Sequence, residues 1–499
     1  MSSSSSSSNS SVFATSRTAV LAKIGAIATA GEEIRIWMPA TSNFGHQATS
    51  ILIMNRLIGM GATRIRIVYS DGAPGLTAWQ KLRILILGLP ADPAASFDVP
   101  GATIYFSLAP GYFTPAPASV TLGITGGWDG NSDALLAQIR VTSFCCLQPY
   151  LWTGTDTVDA TNRVYILQGA SGIVTYNFPG SQQLPLRSYY VPDPALTQAQ
   201  IEIFTGIDAR KSGCVGVIDA LVQSKKAQLV PVYFSPGRPL GQAEDIFFNL
   251  ITGILYYKQI TKDAKPVIIP MMATSDPGSY DFLRDLMTGK VVDEEGTVES
   301  GDQYPNRMEY LTERGYFEAF KRVVILDTAT LCTGDNISTY AKSGKYDIIL
   351  AAIENVPKVI FDYVFGLTTL CHVFEGMGTA SLALNLGKPF LHLQTSGAPN
   401  IFRLPPYETD PGTTPFGKYC LQASLAAGMD PMVWEVILQT SGSGGLPNVV
   451  IGKFLRNATA DGAPLRKEFA ALRTFYNNEE QDKLMGGLIS WLANLNAGT

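Results

Sequence analysis

Apolar residues along this chain fall in short unbroken runs, each followed by a longer stretch with helical spacing. IRIWM at 34–38 predicts a buried strand, then a loop, then a helix over about 47–60. TRIRIVYS at 63–70 predicts the next strand, with Asp71 and Gly72 as its turn and a helical stretch through Leu87. Further strands are predicted at 103–108, 120–125, 139–147 and 163–167. A second series opens near Leu229: a strand over 229–235 (LVPVYFS), the turn SPGRPLG and a helix over 244–260. PVIIPMM, RVVILD and YDIILAAI continue the strands. Short apolar runs separated by helical stretches predict parallel βαβ units and an α/β fold.

Two such series imply two domains, with the break between about 205 and 228. The expected organisation is a disordered Ser-rich N-terminus over 1–16, a first domain over 17–215, a second over 216–470 and a C-terminal helix over 471–499. The segment 467–495 has helical spacing, with Glu468, Arg473, Glu479, Asp482 and Lys483 as its charged face. Residues 277–306 form a charged insert containing Glu294, Glu295 and Glu299. No repeat of solenoid period stands out.

Composition narrows the class. With 46% hydrophobic and 16% charged residues, this 499-residue chain supports a large core. A formal net charge of -5 argues against general affinity for nucleic acid or anionic membrane. The six cysteines include no C-x-x-C pair, so reduced, buried thiols in a cytoplasmic protein are expected. The serine run has no apolar stretch behind it, so no secretory signal is expected. Every apolar segment is short or broken by charge, so no transmembrane segment is expected.

Three turns carry candidate chemistry. In EGMGTASLALNLGKPF (375–390), Glu375 ends a strand or loop, and Gly376 and Gly378 let the backbone approach a ligand. Met377 and Thr379 then open a helix whose free N–H groups and dipole favour an anion. Gly387 ends that helix. Spacing alone admits a diphosphate cradle or a ligand-free turn. In TSNFGHQATS, Gly45 makes the turn and His46 projects from the helix start, where the dipole favours a neutral imidazole suited to a general base. A capping histidine fits the same pattern. In SPGRPLG, Ser235 and Gly237 follow a strand, and Arg238 is placed to clamp a diphosphate or to lie on the surface. His372 lies just before the first of these motifs.

The segments TSNFGHQATS and EGMGTASLALNLGKPF resemble the two signature loops of GT-B glycosyltransferases of the MurG-like and macrolide- and plant-type inverting group. The resemblance implies an α/β GT-B fold, two Rossmann-like domains facing across a cleft. It makes His46 the base toward an acceptor hydroxyl, with Asp129 of GGWDGNSD as a carboxylate that orients it; a plain Asp-Gly turn is the better explanation of Asp129. It makes Gly376, Gly378 and Thr379, with adjacent Glu375 and Met377 and with Gly45 of the first turn, the donor-holding residues, and sets Ser235, Gly237 and Arg238 across from them. It puts 354–357, with Val356 and Pro357, where the nucleobase is read. Three departures stand out. Leu382 replaces a ribose-holding Glu, Phe374 replaces a histidine, and no acidic residue follows the GKP strand near 398–400; Glu408 or Asp410 are the substitutes at hand.

The function so implied is sugar transfer from a nucleotide-sugar, UDP- or dTDP-linked, to a small-molecule, lipid or protein acceptor. Inversion is expected, with helix dipole and N–H groups in place of a metal and no cofactor. A nucleotide-sugar epimerase and a non-catalytic binding protein are the alternatives on the same scaffold. No P-loop, HExxH, GxSxG or metal-spaced Cys/His pattern points elsewhere.

Overall fold

IRIWM forms strand β1 (Ile34–Met38), with all five residues buried. The computed structural model describes residues 5–41, 44–73, 75–109, 119–126, 138–147, 163–168, 173–177, 189–234, 243–274, 276–292, 298–300, 304–393, 415–441 and 445–497. The chain divides into two compact units, Met1–Pro192 with Thr474–Thr499, and Asp193–Arg473. The division falls at 192/193, ahead of the expected 205–228.

The first unit begins with helix α1 (Ser5–Thr29). The stretch expected to be disordered is therefore helical from Ser5. The anchors lie further along, where Val20, Ile24 and Ile27 are buried at helical spacing and Arg17 bonds Glu479 at 2.6 Å. Once those turns are fixed, each residue added toward the N-terminus costs no new nucleus.

After β1 come α2 (Gly45–Gly59), β2 (Arg64–Tyr69), α3 (Ala78–Leu85), β3 (Ser96–Val99), β4 (Ala102–Leu108), β5 (Val120–Thr125), β6 (Val141–Leu147), β7 (Arg163–Gln168) and β8 (Ile173–Asn177). The sheet order is β3-β4-β2-β1-β5-β6-β7-β8. Strands β4, β2, β1, β5 and β6 are parallel, as predicted. The two edges are not: β3 runs antiparallel to β4, and β7 and β8 form an antiparallel ladder on β6. The connections from β3 to β4 and from β7 to β8 are too short for the crossover a parallel pair needs.

Two parallel strands carry arginines inside. Glu33 Oε1 accepts from Arg35 Nε at 2.8 Å and from Arg66 Nε at 2.7 Å, and all three residues are buried. Arg35 also donates to the Ile139 carbonyl at 2.8 Å, and Arg66 to Ser107 Oγ at 2.9 Å. Buried charges persist when paired and hydrogen-bonded in this way.

The charged C-terminal stretch is not one helix. It breaks after Tyr476 into a 3-10 turn (Glu479–Gln481) and a final helix (Lys483–Ala497). Asp482, expected on the charged face, is 1% exposed. Its carboxylate accepts from the amides of Leu484, Met485 and Tyr190 and from Arg56 Nη2 at 2.9 Å, which caps the final helix.

The second unit contains α4 (Gln198–Ile207), α5 (Ala209–Gln223), β9 (Gln228–Leu229), β10 (Val232–Tyr233), α6 (Ala243–Thr261), β11 (Val267–Met271) and α7 (Pro277–Thr288). The charged insert supplies α7 and the hairpin β12 (Lys290–Val292) and β13 (Val298–Ser300). Next come α8 (Pro305–Glu313), α9 (Tyr316–Phe320), β14 (Val323–Leu326), α10 (Gly334–Lys342), β15 (Ile348–Ala352), α11 (Lys358–Gly366), β16 (His372–Phe374), α12 (Met377–Leu386) and β17 (Phe390–His392). Helices α13 (Pro415–Ala427), α14 (Trp434–Ser441), α15 (Pro447–Thr459) and α16 (Pro464–Tyr476) follow. The predicted single strand over 229–235 is two short pieces, because Pro231 between them has no N–H for the ladder. Every pairing in the main sheet, β14-β15-β11-β10-β16-β17 with β9 on β11, is parallel. The fold class is α/β with two Rossmann-like units, as the strand-and-helix rhythm predicts.

Candidate functional site

In open α/β sheets, ligands settle at the carboxyl ends of adjacent strands whose connections leave in opposite directions. Each unit has a point where two such connections diverge. In the second unit it lies between β10 and β16, paired Val232 to Val373 and Tyr233 to Phe374. The chain leaves β16 through Glu375, whose amide donates to the Tyr233 carbonyl at 2.9 Å. Glu375 is 6% exposed. Gly376 follows with φ +94°, outside the range of other residues, and a Cβ there would meet nothing within 4 Å among the described residues. Helix α12 starts at Met377 with no side-chain cap. The amides of Gly378 and Thr379 therefore lie at an uncapped helix end beside open space, which is the geometry of an anion cradle.

The rest of the motif is structural. Gly387 ends α12 with φ +56°, and a Cβ there would lie 2.3 Å from Arg473 Cβ and 2.6 Å from the Phe469 carbonyl. Lys388 donates to the carbonyls of Gly366 and Thr368, closing the end of α11. Burial, aided by Arg473, lowers its ammonium pKa to about 8. Leu382, where the resemblance wants an acid, is 1% exposed in the core.

His372, despite its place beside the motif, belongs to the core. It is fully buried, its Nε2 lies 2.9 Å from the Phe365 carbonyl, and its ring stacks on Phe365. Burial lowers its pKa to about 3. His392 packs against Phe374, and burial lowers its pKa to about 4.

Val356 and Pro357 follow β15 on the same carboxyl edge, separated from β16 by β11 and β10. Pro357 leads directly into α11. Among the described residues, the N–H and C=O of Val356 have no backbone partner. Ser235, Gly237 and Arg238 lie outside the described residues. What is described is their point of departure: Phe234 follows Tyr233, the strand end bonded to Glu375.

In the first unit the reversal lies between β1 and β5. The loop after Met38 is bound from several sides. Ala40 N donates to Ser70 Oγ at 2.8 Å, Gln47 Nε2 donates to Thr41 Oγ1 at 2.9 Å, and Lys81 Nζ donates to the Thr41 carbonyl. Helix α2 begins at Gly45, with no side-chain cap from Phe44, and half-buried His46 is its second residue. Asp129 lies outside the described residues. The loop toward it begins at Gly126, where a Cβ would lie 2.4 Å from Thr49 Cγ2 and 2.9 Å from Ile53 Cδ1 of α2. That loop therefore starts flush against the helix carrying His46.

Sequence reading missed two buried groups at these edges. Lys81 is 2% exposed, and burial lowers its pKa while Asp71 opposes the shift. Glu244, in the first turn of α6, is 2% exposed, and burial raises its pKa, with Asp276 adding to the rise. Both stand in ordinary helical patterns, so only their burial marks them. No group of three or more His, Cys, Asp or Glu suited to a metal occurs among the described residues. Cys145, Cys214, Cys332, Cys371 and Cys420 are buried and form no disulfide among the described residues. No described helix is long and apolar enough to cross a membrane.

No protein-family model matches the chain, and no curated protein matches it. Solved structures do. An α,α-trehalose-phosphate synthase (UDP-forming) from Burkholderia xenovorans, in complex with glucose-6-phosphate, is 9% identical, with 90% of this chain and 77% of that one covered and a TM-score of 0.30. Trehalose-6-phosphate from E. coli bound with UDP-2-fluoro glucose is 8% identical, covering 93% and 99%, with a TM-score of 0.36. The α,α-trehalose 6-phosphate synthase from Burkholderia multivorans is 10% identical, covering 93% and 96%, with a TM-score of 0.34. Likeness at this level assigns no residue a role.

Proposed function

We propose that this protein is a GT-B-type glycosyltransferase that moves a sugar from a nucleotide-sugar to an acceptor nucleophile. The observation that carries the reading is the uncapped start of α12 beside open space at Gly376, at the reversal point of the second sheet. The amides of Gly378 and Thr379 hold the diphosphate, and Ser235, Gly237 and Arg238, outside the described residues, are the candidates to add contacts and charge. The backbone groups of Val356, which have no backbone partner among the described residues, offer a donor and an acceptor to a base edge ahead of Pro357. A UDP- or dTDP-linked donor fits this reading.

In the transfer, an acceptor hydroxyl attacks the anomeric carbon. A new C–O bond forms, the bond to the diphosphate breaks, and the nucleoside diphosphate departs with its electron pair. His46, at the start of α2 and oriented by Asp129, takes the hydroxyl proton. The charge on the departing group is met by the helix end and its N–H groups, so the reading uses no metal and predicts inversion. The first unit thus handles the acceptor and the second the donor.

A thermal-shift screen with UDP-, dTDP- and GDP-sugars, followed by detection of released nucleoside diphosphate, tests this. A shift with one donor class and release in the presence of an acceptor is expected. No shift with any donor ends the nucleotide reading. Binding without release across acceptors points to a non-catalytic binding protein. A new sugar formed from UDP-GlcNAc alone points to an epimerase.

A further inference from the structure

Residues 354–357, the segment assigned above to the base, begin in an unfavourable backbone state. Glu354 has φ +71°, a left-handed conformation that a non-glycine residue holds only when its surroundings impose it. The surroundings are on hand. Glu354 N donates to the Met271 carbonyl at 3.0 Å. Its carboxylate lies 3.4 Å from Arg210 Nη2 and 3.6 Å from Lys211 Nζ. Lys211 Nζ also donates to the Asn355 carbonyl at 2.8 Å, and Asn355 Nδ2 donates to Thr274 Oγ1 at 3.0 Å.

The two cations are themselves held. Both stand in the first turn of α5, which Asp208 caps through the Lys211 amide at 2.9 Å. Arg210 Nη1 donates to the Cys332 carbonyl at 3.2 Å. Lys211 is 15% exposed and Arg210 20%, so neither is a freely solvated surface charge. A cationic pair at a helix N-terminus opposes the helix dipole. Here its partners are the strained Glu354 and the Asn355 carbonyl, two residues and one residue before Val356.

We propose that Lys211, supported by Arg210, is a positioning residue that holds residues 354–357 in the conformation that presents Val356's backbone groups to a nucleobase. The proposal rests on the donor reading above. Lys211 touches no ligand itself; it acts through the path of the chain. Its loss affects recognition of the base and leaves recognition of the diphosphate, which belongs to α12, unchanged.

That separation supplies the test. Binding of UDP and of inorganic pyrophosphate is measured by calorimetry on the full chain, wild type, Lys211→Met and Lys211→Arg. Expected for Lys211→Met is a roughly tenfold weaker affinity for UDP with pyrophosphate affinity unchanged, because one charged hydrogen bond fixes the loop. Lys211→Arg, which still donates to the Asn355 carbonyl, restores most of the UDP affinity. If Lys211→Met binds UDP as the wild type does, or weakens UDP and pyrophosphate equally, Lys211 does not position the base loop. If the wild type binds neither UDP nor any other nucleoside diphosphate, the donor reading fails, and this inference with it.

Discussion

The amide of Glu375 donates to the carbonyl of Tyr233 at 2.9 Å, joining the ends of two strands 142 positions apart in the chain. This bond brings the turn EGMGT and the departure of the loop SPGRPLG to one edge of the second sheet. The candidate diphosphate cradle depends on it.

Gly376 is the residue that this edge cannot exchange. Its φ of +94° costs any other residue about 1–3 kcal/mol, while a Cβ meets open space. Gly376→Ala should therefore cost backbone conformation and not packing. UDP-sugar affinity should fall about tenfold or more in a protein that still unfolds cooperatively. Unchanged affinity by calorimetry would remove Gly376 from the cradle.

His46→Ala should leave donor affinity nearly intact and lower turnover by about 10²–10⁴. Steady-state kinetics paired with donor titration separates the two effects. Normal turnover would take His46 out of the mechanism.

Gly387 is needed for packing, unlike Gly376. A Cβ there runs into Arg473 Cβ at 2.3 Å and the Phe469 carbonyl at 2.6 Å. Gly387→Ala should destabilise the protein by about 1–3 kcal/mol or more. Chemical unfolding against wild type gives the value.

Glu33 neutralises two buried guanidiniums. Glu33→Gln leaves Arg35 and Arg66 facing each other without their shared anion, which should cost about 3–5 kcal/mol. A loss within the error of the denaturation curves would mean that the arginines find compensation elsewhere.

Acid should destabilise the protein through its buried imidazoles. His372 and His392 have folded-state pKa values lowered to about 3 and about 4. The unfolded chain takes up these protons near the ordinary histidine value of about 6.5, while the folded chain does not. Stability from the neutral rings is thus complete above about pH 6.5 and is lost as pH falls toward about 4 and then 3. Thermal unfolding across that window should show a falling midpoint. A His392→Phe variant, which keeps the packing on Phe374, should show a shallower slope.

Much of the fold was legible because buried parallel strands announce themselves as unbroken apolar runs. Strands β1 and β5 fall where the runs lie, and the helix after EGMG ends at Gly387 as its spacing implies. The candidate turns at Gly45 and Gly376 were legible for the same reason, since glycine between a strand and a helix has few other uses. Strands β3 and β8 escaped, and β7, predicted at 163–167, runs antiparallel, because strand direction depends on the neighbour that pairs, which a local pattern does not encode. His372 stands beside the motif in sequence yet lies in the core, because proximity to a motif says nothing about which face of a strand a ring occupies.

The amino-acid sequence by itself determined the α/β class, the two strand-and-helix series and the glycine turns, because these follow from local periodicity and backbone freedom. Tertiary structure alone decided that Glu33, Arg35, Arg66, Asp482 and His372 lie inside, and that the strand ends at Tyr233 and Phe374 lie side by side. A polar side chain is stable in the core only when a distant part of the chain completes its hydrogen bonds. No local pattern shows which distant part that is.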